Sequence, residues 1–190
     1  MQVKHLLLPT SFAFGATLMA TAQDASVEKS VYGLQTGLLG IWAHNESRIT
    51  DRFAIRSEVG FDAGFFGGGF NESNIGYVFT PVLTVEPRWY YNLKKRDSKG
   101  KRTANNSANF LTAKINYHPD WFTISSDDRM VFNQVAFVPT WGIRRVLGRH
   151  FTFEAAIGLG YRYVFRKSHG FSTNVGEAAV DLDLRIGYTF

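Results

Sequence analysis

Residues 151–165 read FTFEAAIGLGYRYVF, an unbroken alternation. Phe151, Phe153, Ala155, Ile157, Leu159, Tyr161, Tyr163 and Phe165 share one face of an extended chain, and Thr152, Glu154, Ala156, Gly158, Gly160 and Arg162 share the other. Successive side chains of a strand point to opposite faces, so this spacing predicts a strand with one apolar and one polar face. Aromatic residues gather at both ends of the apolar face, with aliphatic residues between them. A bilayer selects that distribution, an apolar band flanked by amphipathic rings at the two interfaces.

The pattern recurs along the chain. The last ten residues, DLDLRIGYTF, set Leu182, Leu184, Ile186, Tyr188 and Phe190 against Asp181, Asp183, Arg185, Gly187 and Thr189. Residues 134–147 set Val135, Phe137, Trp141, Ile143 and Leu147 against Gln134, Thr140, Gly142 and Arg144, and Gly148 marks a tight hairpin between this run and the next. Further back, Leu111, Ala113, Ile115 and Tyr117 oppose Thr112, Lys114, Asn116 and His118. Phe79, Leu83, Val85, Trp89, Tyr91 and Leu93 oppose Thr80, Thr84, Glu86, Arg88 and Asn92, and Phe53, Ile55, Val59, Phe61 and Phe65 oppose Arg56, Glu58, Gly60 and Asp62. A weaker run spans Val31–Ala43, where Tyr32, Leu34, Leu38 and Trp42 share a face. Polar, turn-rich segments separate the runs, HNESRITD at 44–51 among them. Pro81, Pro87 and Pro139 fall inside strand patterns, which predicts bulges or strand ends there, because proline donates nothing to a ladder.

The polar faces collect Arg56, Glu58, Asp62, Glu86, Arg88, Lys114, Arg144, Glu154, Arg162, Asp181, Asp183 and Arg185, six acids and six bases. Unpaired in an apolar core, each would cost several kcal/mol. They fit the solvated face of a soluble β protein or the lumen of a small membrane barrel, where opposite charges pair. Strand lengths and aromatic ends favour the lumen. A soluble barrel of lipocalin type needs the reverse, an apolar lumen and a polar outside.

The front of the chain gives an address. Lys4 and His5 precede an apolar stretch, Leu6–Ala20, that closes on Ala20-Thr21-Ala22. This predicts a signal peptide over 1–22, cleaved before Gln23, and a single barrel domain over 23–190. There is no cysteine, hence neither lipoprotein attachment nor disulfides. Aromatics make up 15% of the chain, with 17 Phe and 8 Tyr, yet mean hydropathy is −0.13. No later run approaches the roughly 20 apolar residues of a membrane helix. The net charge of +5 is mild and concentrated in one loop, so no nucleic-acid partner is expected.

The terminal RIGYTF resembles the signal read by the outer-membrane barrel assembly machinery, with Leu182, Leu184, Ile186, Tyr188 and Phe190 as its apolar positions. EPRWYYNLKKR (86–96), PTWGIRRVLG (139–148) and FEAAIGLGYRY (153–163) resemble small outer-membrane barrel proteins of Bacteroidota-type bacteria. The resemblance implies an outer-membrane location in a Gram-negative cell, contact with outer-membrane lipid and lipopolysaccharide, and assembly by that machinery. It carries over no reaction. The expected fold is all-β, a single antiparallel transmembrane β-barrel of about eight strands with a polar, charged lumen. Seven runs are visible and bacterial barrels have even strand numbers, so an eighth strand is expected within Gln23–Gln35 or within 61–78. Counting back from Phe190 places the loops at 94–107 and 148 in the periplasm and those at 64–74, 119–131 and 167–174 outside.

Function is legible only as a class. An eight-stranded lumen is filled by side chains, which points to a closed envelope barrel with a structural, envelope-maintenance or ligand- and partner-binding role, an envelope protein among the partners. A narrow channel is an alternative. The basic stretch Lys94, Lys95, Arg96, Lys99, Lys101 and Arg102 reads first as a solvated flexible turn and second as a contact for lipid phosphates or anionic polymers. A lipid A deacylase or acyltransferase needs a Ser and His in reach with an orienting carboxylate. His118 with Ser125 or Ser126, and Ser168 with His169, are the candidates, with Glu154 or Asp183 as orienters. GGG at 67–69 lacks the Lys-Ser/Thr of a phosphate loop, and Asp127-Asp128 is too thin for calcium. No cofactor or metal is expected.

Overall fold

In the computed structural model, residues 25–67, 75–126 and 131–190 are described, with the side chains of 65–67 and 75 left aside. The expected leader at 1–22, Asp127-Asp128 and residues 68–69 of the glycine triplet lie outside the described residues. Eight long strands are β1 Ser30–Gly37, β2 Gly40–Arg48, β3 Phe53–Gly67, β4 Ile75–Trp89, β5 Asn109–His118, β6 Gln134–Leu147, β7 Phe151–Val164 and β8 Val175–Thr189. Each pairs antiparallel with the next, and β8 pairs with β1 from Gly33↔Thr189 to Gly37↔Arg185. The sheet is therefore a closed eight-stranded antiparallel barrel. A two-residue strand, Ile124–Ser125, adds to β4 beyond the end of β5.

The eighth strand comes from dividing the first run. Leu38 and Leu39 form a turn between β1 and β2, and Gly40 sits at φ +147°, where a Cβ would lie 2.0 Å from the Phe61 carbonyl oxygen. That turn reverses the face parity. Leu34 and Ile41 both point outward, while Trp42 turns inward, away from the face it was expected to share with Leu34. HNESR, expected as loop, is the inward-reading end of β2. His44 and Glu46 are buried, and the half-exposed Ala43, Asn45 and Ser47 that alternate with them carry no strong apolar signal.

The prolines produce no shift of register. Pairing of β4 with β5 runs to Val85↔Ile115, skips Glu86 and Pro87, and resumes at Arg88↔Thr112 in the same register. Pairing of β6 with β7 skips Val138 and Pro139 in the same way, and Pro81 falls between the Ile124–Ser125 and β5 pairings of β4. Each proline thus sits where one side of its strand has no ladder partner, so the expected bulges are unnecessary.

Register carries both faces around the barrel. Phe53↔Trp89, Trp89↔Leu111, Leu111↔Trp141, Trp141↔Ile157 and Ile157↔Leu182 form a continuous apolar row outside. Inside, Glu46↔Arg56, Arg56↔Glu86, Arg144↔Glu154 and Glu154↔Arg185 are opposite-charge cross-strand pairs. Such pairs stabilise a sheet, whereas like charges facing each other would oppose it.

The 90–108 connection closes one end of the barrel. β4 stops at Trp89, a short helix α1 (Leu93–Asp97) and a 3₁₀ turn (Ala104–Asn106) follow, and Leu93, expected outside, turns inward. Val27, Ala54, Tyr90, Leu93, Ala108, Phe110 and Ala156 pack there as the one apolar cluster of buried residues among those described. Ala25, where the described residues begin, the C-terminus, the 49–52 turn and the 148–150 turn share this end, here the terminal end. The Leu38–Leu39 turn, residues 119–126 and 131–133, and the 165–174 loop mark the opposite mouth.

Candidate functional site

The barrel reverses the polarity of a soluble protein. Leu83, Val85, Ile115, Phe137, Leu182 and Leu184 are exposed on its outer face, and Leu159 reaches 71% exposure. Inside, Glu46, Arg56, Glu86 and Glu154 are fully buried, and Arg88, Arg144 and Lys114 nearly so. Rings gird the outside at both ends. Phe53 stacks on Trp89, Trp89 meets Tyr91, and Phe151 and Phe190 both meet Tyr188 at the terminal end. Tyr77 with Phe79 and Tyr163 with Phe165 do the same toward the mouth.

The buried charges form two connected layers. Near the terminal end, the Glu154 carboxylate accepts from Arg88 through both oxygens, at 2.6 and 3.0 Å, and from Arg144 Nε at 2.9 Å. Arg88 also donates to Glu86 at 2.7 Å, and Arg144 to Glu46 at 3.1 Å. The Tyr90 hydroxyl, 2.8 Å away, and the Asn106 amide donate to the same Glu46. Burial pushes the Tyr90 phenol above its ordinary range, keeping it a donor. Asn106 Oδ1 accepts from the Glu28 backbone N–H at 2.8 Å, so the 3₁₀ turn ties the entering chain to the network.

Arg56 links the layers, donating to Glu58 at 2.7 Å and lying 3.3 Å from Glu86. In the second layer Arg185 donates to Glu58 at 2.8 Å and from Nε to Asp183 at 2.9 Å, and stacks 3.8 Å from the Trp42 ring. Lys114 Nζ donates to Asp181 and Asp183, both at 2.6 Å. Short charge-assisted bonds of this kind are the strong ones, and they offset part of the cost of desolvating so many ions.

Of the twelve expected lumen charges, Arg56, Glu58, Glu86, Arg88, Lys114, Arg144, Glu154, Asp183 and Arg185 meet in this network. Asp181 lies at its upper edge. Asp62 stands in the mouth, accepting from Trp42 Nε1 at 2.8 Å, with His118 Nε2 2.7 Å from its other oxygen. Arg162 is separate, in a half-exposed pair with Glu177. Sequence reasoning missed Glu46, His44, Gln35, Tyr90 and Asn106. Glu46 and His44 follow Trp42 at every second position, and Tyr90 continues the inward parity of Glu86 and Arg88, signals legible once the Leu38–Leu39 turn and the end of β4 are known.

The other expected sites separate. Leu182, Leu184, Ile186, Tyr188 and Phe190 all point outward, Phe190 at 76% exposure. The basic loop contains the short helix α1. Arg96 donates to the Ser107 and Arg102 carbonyls, while Lys95, Lys99, Lys101 and Arg102 stay exposed and Lys94 is half-buried. Ser125 Oγ donates to the Tyr77 carbonyl and Ser126 Oγ accepts from the Tyr77 N–H, while His118 engages Asp62. Glu154 and Asp183 are committed to arginines and Lys114. Ser168 and His169 do meet, Oγ to Nδ1 at 3.0 Å, because a 3₁₀ turn over Lys167–His169 replaces the extended chain that would part them. The far nitrogen of His169 lies 3.2 Å from Asp120, a carboxylate not singled out from sequence.

A cavity of about 450 Å³ opens toward the mouth above the second charge layer. Lys114, Asp181, Asp183, Asp62, His118 and Arg162 contribute to its wall. No group of three or more His, Asp or Glu side chains placed to hold a metal ion occurs among the described residues. Compared with known proteins, the chain matches no family model, no curated protein and no solved structure.

Proposed function

We propose that the protein is a small integral outer-membrane β-barrel of a Gram-negative bacterium, of the Bacteroidota-type class its motifs resemble, with an envelope-maintenance or ligand- and partner-binding role and a lumen closed to flow. One observation carries this reading: an apolar, aromatic-girdled exterior around a buried network of ion pairs. Lipid can solvate that exterior, whereas water would leave a belt of large apolar side chains exposed all around the barrel. The C-terminus then lies in the periplasm and the segments carrying Trp121 and His169 outside, in contact with lipopolysaccharide. The outward residues Leu182, Leu184, Ile186, Tyr188 and Phe190 serve as the assembly signal, and the exposed lysines of the 90–108 connection lie level with lipid phosphates.

The test is fractionation of cells producing the full chain. The reading expects the protein in the outer-membrane fraction, resistant to carbonate extraction and migrating faster on gels when unheated. Release into the soluble periplasmic fraction would overturn it.

The Ser168–His169–Asp120 line at the outer mouth favours a second reading, an outer-membrane lipid acyl-ester hydrolase. A Ser–His–carboxylate relay in hydrogen-bond reach is the arrangement nucleophilic catalysis needs. The Ser168 hydroxyl also donates to the Phe165 carbonyl at 2.9 Å, the bond of an ordinary local turn. Release of fatty acid from lipid A by purified protein, lost in Ser168→Ala, would establish this reading, and equal inertness of both proteins would dismiss it.

A further inference from the structure

The barrel wall is uneven. β1 ends at Gly37 and β2 begins at Gly40, so the hairpin covers β8 only up to Arg185 and β3 only up to Asp62, with one more bond from the Ala63 N–H to the Leu39 carbonyl. Past that point β3 continues to Gly67 paired only with β4, and Val175–Leu184 of β8 pair only with β7. Among the described residues no strand joins these two edges. The eight residues of β1 rise about 3.3 Å each and, tilted about 40°, lift the hairpin about 20 Å, against an apolar band about 25 Å tall. The notch therefore starts within the band. The side chains beside it, Val180 and Leu182, face outward and are well exposed.

Behind the notch the wall changes chemistry. A slit of about 180 Å³ runs between Leu38 and Leu39 of the turn and Leu182 and Leu184 of β8. It shares Leu39, Trp42, Leu182, Asp183 and Arg185 with the lining of the 450 Å³ cavity, so the two adjoin, with only these side chains between them. The slit is apolar. The cavity is lined by three acids, Asp62, Asp181 and Asp183, and three bases, Lys114, Arg162 and Arg185. His118 also lines it, with Nε2 engaging Asp62. The cavity lies within the range of small-molecule sites, and the slit is too small for more than one acyl chain.

We propose that this notch is a lateral port for a single-chain zwitterionic amphiphile of the surrounding leaflet, a lysophospholipid, which seats its head group in the cavity and its chain in the slit. The balance of acids and bases fits a head group carrying both charges, and the slit gives the chain an apolar path from the membrane. The inference rests on the membrane reading above, and its test separates the two.

Two single-tryptophan proteins are placed in phosphatidylcholine vesicles. One keeps Trp42 (W89F, W121F, W141F) and reports on the port; the other keeps the outward Trp141 (W42F, W89F, W121F) and reports on the bilayer. Lysophosphatidylethanolamine with a brominated chain, which quenches tryptophan on contact, is titrated in. Trp141 emission should fall in proportion to the brominated fraction. Trp42 emission should fall saturably at low fraction. Leu39→Asp, a charge on the slit rim, should abolish the saturable part, and His118→Gln should shift half-saturation upward. Quenching of Trp141 with none of Trp42, or Trp42 quenching indifferent to both substitutions, would overturn the port. Trp141 left unquenched would overturn the membrane reading itself.

Discussion

Glu154→Gln tests the lumen network at its most shared residue. The carboxylate binds Arg88 through both oxygens and Arg144 through one, and it is fully buried. The amide keeps the shape but removes the charge and turns one acceptor into a donor facing a guanidinium. Breaking a buried pair on one side costs about 3–5 kcal/mol, because the remaining ion stays buried and uncompensated. Here Arg88 retains Glu86 at 2.7 Å and Arg144 retains Glu46 at 3.1 Å. Arg56, 3.7 Å from Glu154, likewise retains Glu58 and Glu86, so three arginines are weakened and none is orphaned, which places the expected loss near the lower end, about 3 kcal/mol. Urea unfolding of the barrel in lipid vesicles, followed by tryptophan emission and by the unheated gel band, reads this directly. With a slope of about 1–3 kcal/mol per M, the midpoint should fall by roughly 1–3 M. The double variant Glu154→Leu/Arg88→Met should lose less than either of its single changes, since it removes both charges together. A midpoint unchanged for Glu154→Gln would refute the claim that these ion pairs hold the lumen closed.

Arg162→Gln should change stability by no more than about 0.5 kcal/mol in the same assay, because its pair with Glu177 is half-exposed; a loss matching that of Glu154→Gln would mean the network extends to the mouth. Gly40→Ala should cost about 1–3 kcal/mol and lower folding yield, since the residue sits at φ +147° with Phe61 O in the way of a Cβ, and a neutral result would show that the Leu38–Leu39 turn relaxes freely. Deleting Phe190 should deplete assembled barrel from the outer membrane of cells while leaving refolding into vesicles intact, because its exposed ring touches only Tyr188 among the ring contacts of the barrel exterior. Equal loss in both settings would make Phe190 a folding residue rather than an assembly signal.

How far the chain could be read in advance followed the strength of the two-residue period. Over Phe151–Val164 and the Asp181–Thr189 part of the last strand the apolar residues keep to the outer face, so composition alone separates the faces. β2 offered no such contrast. Its outward positions include Asn45 and Ser47, and its inward ones pair Trp42 with His44 and Glu46, so hydropathy looks uniform where geometry alternates. The turn that would have reset the count consists of two leucines, and only the flanking Gly37 and Gly40 hint at it. The network was legible as a set of inward charges, but its partners depend on strand stagger, which sequence periodicity does not contain. Lys114 on β5 finds Asp181 and Asp183 on β8 across the lumen, a contact no local pattern encodes. The plug at the terminal end was hidden for a different reason. Lysines dominate 94–101 and suggest a solvated loop, while the buried residues flank them as Leu93 on one side and the run Asn106-Ser107-Ala108, two of its three residues polar, on the other.

The central claim is a membrane-spanning barrel closed by its own ion pairs, and single-channel recording in a planar bilayer tests it most directly. Protein whose insertion is verified by its fast-migrating unheated band should give no unitary steps across the accessible voltage range. Glu154→Gln in the same bilayer should stay silent or open only transiently. Stable, reproducible steps from the unmodified protein, altered in size or ion preference by Arg144→Gln, would contradict the account and make the charged lumen a conducting path.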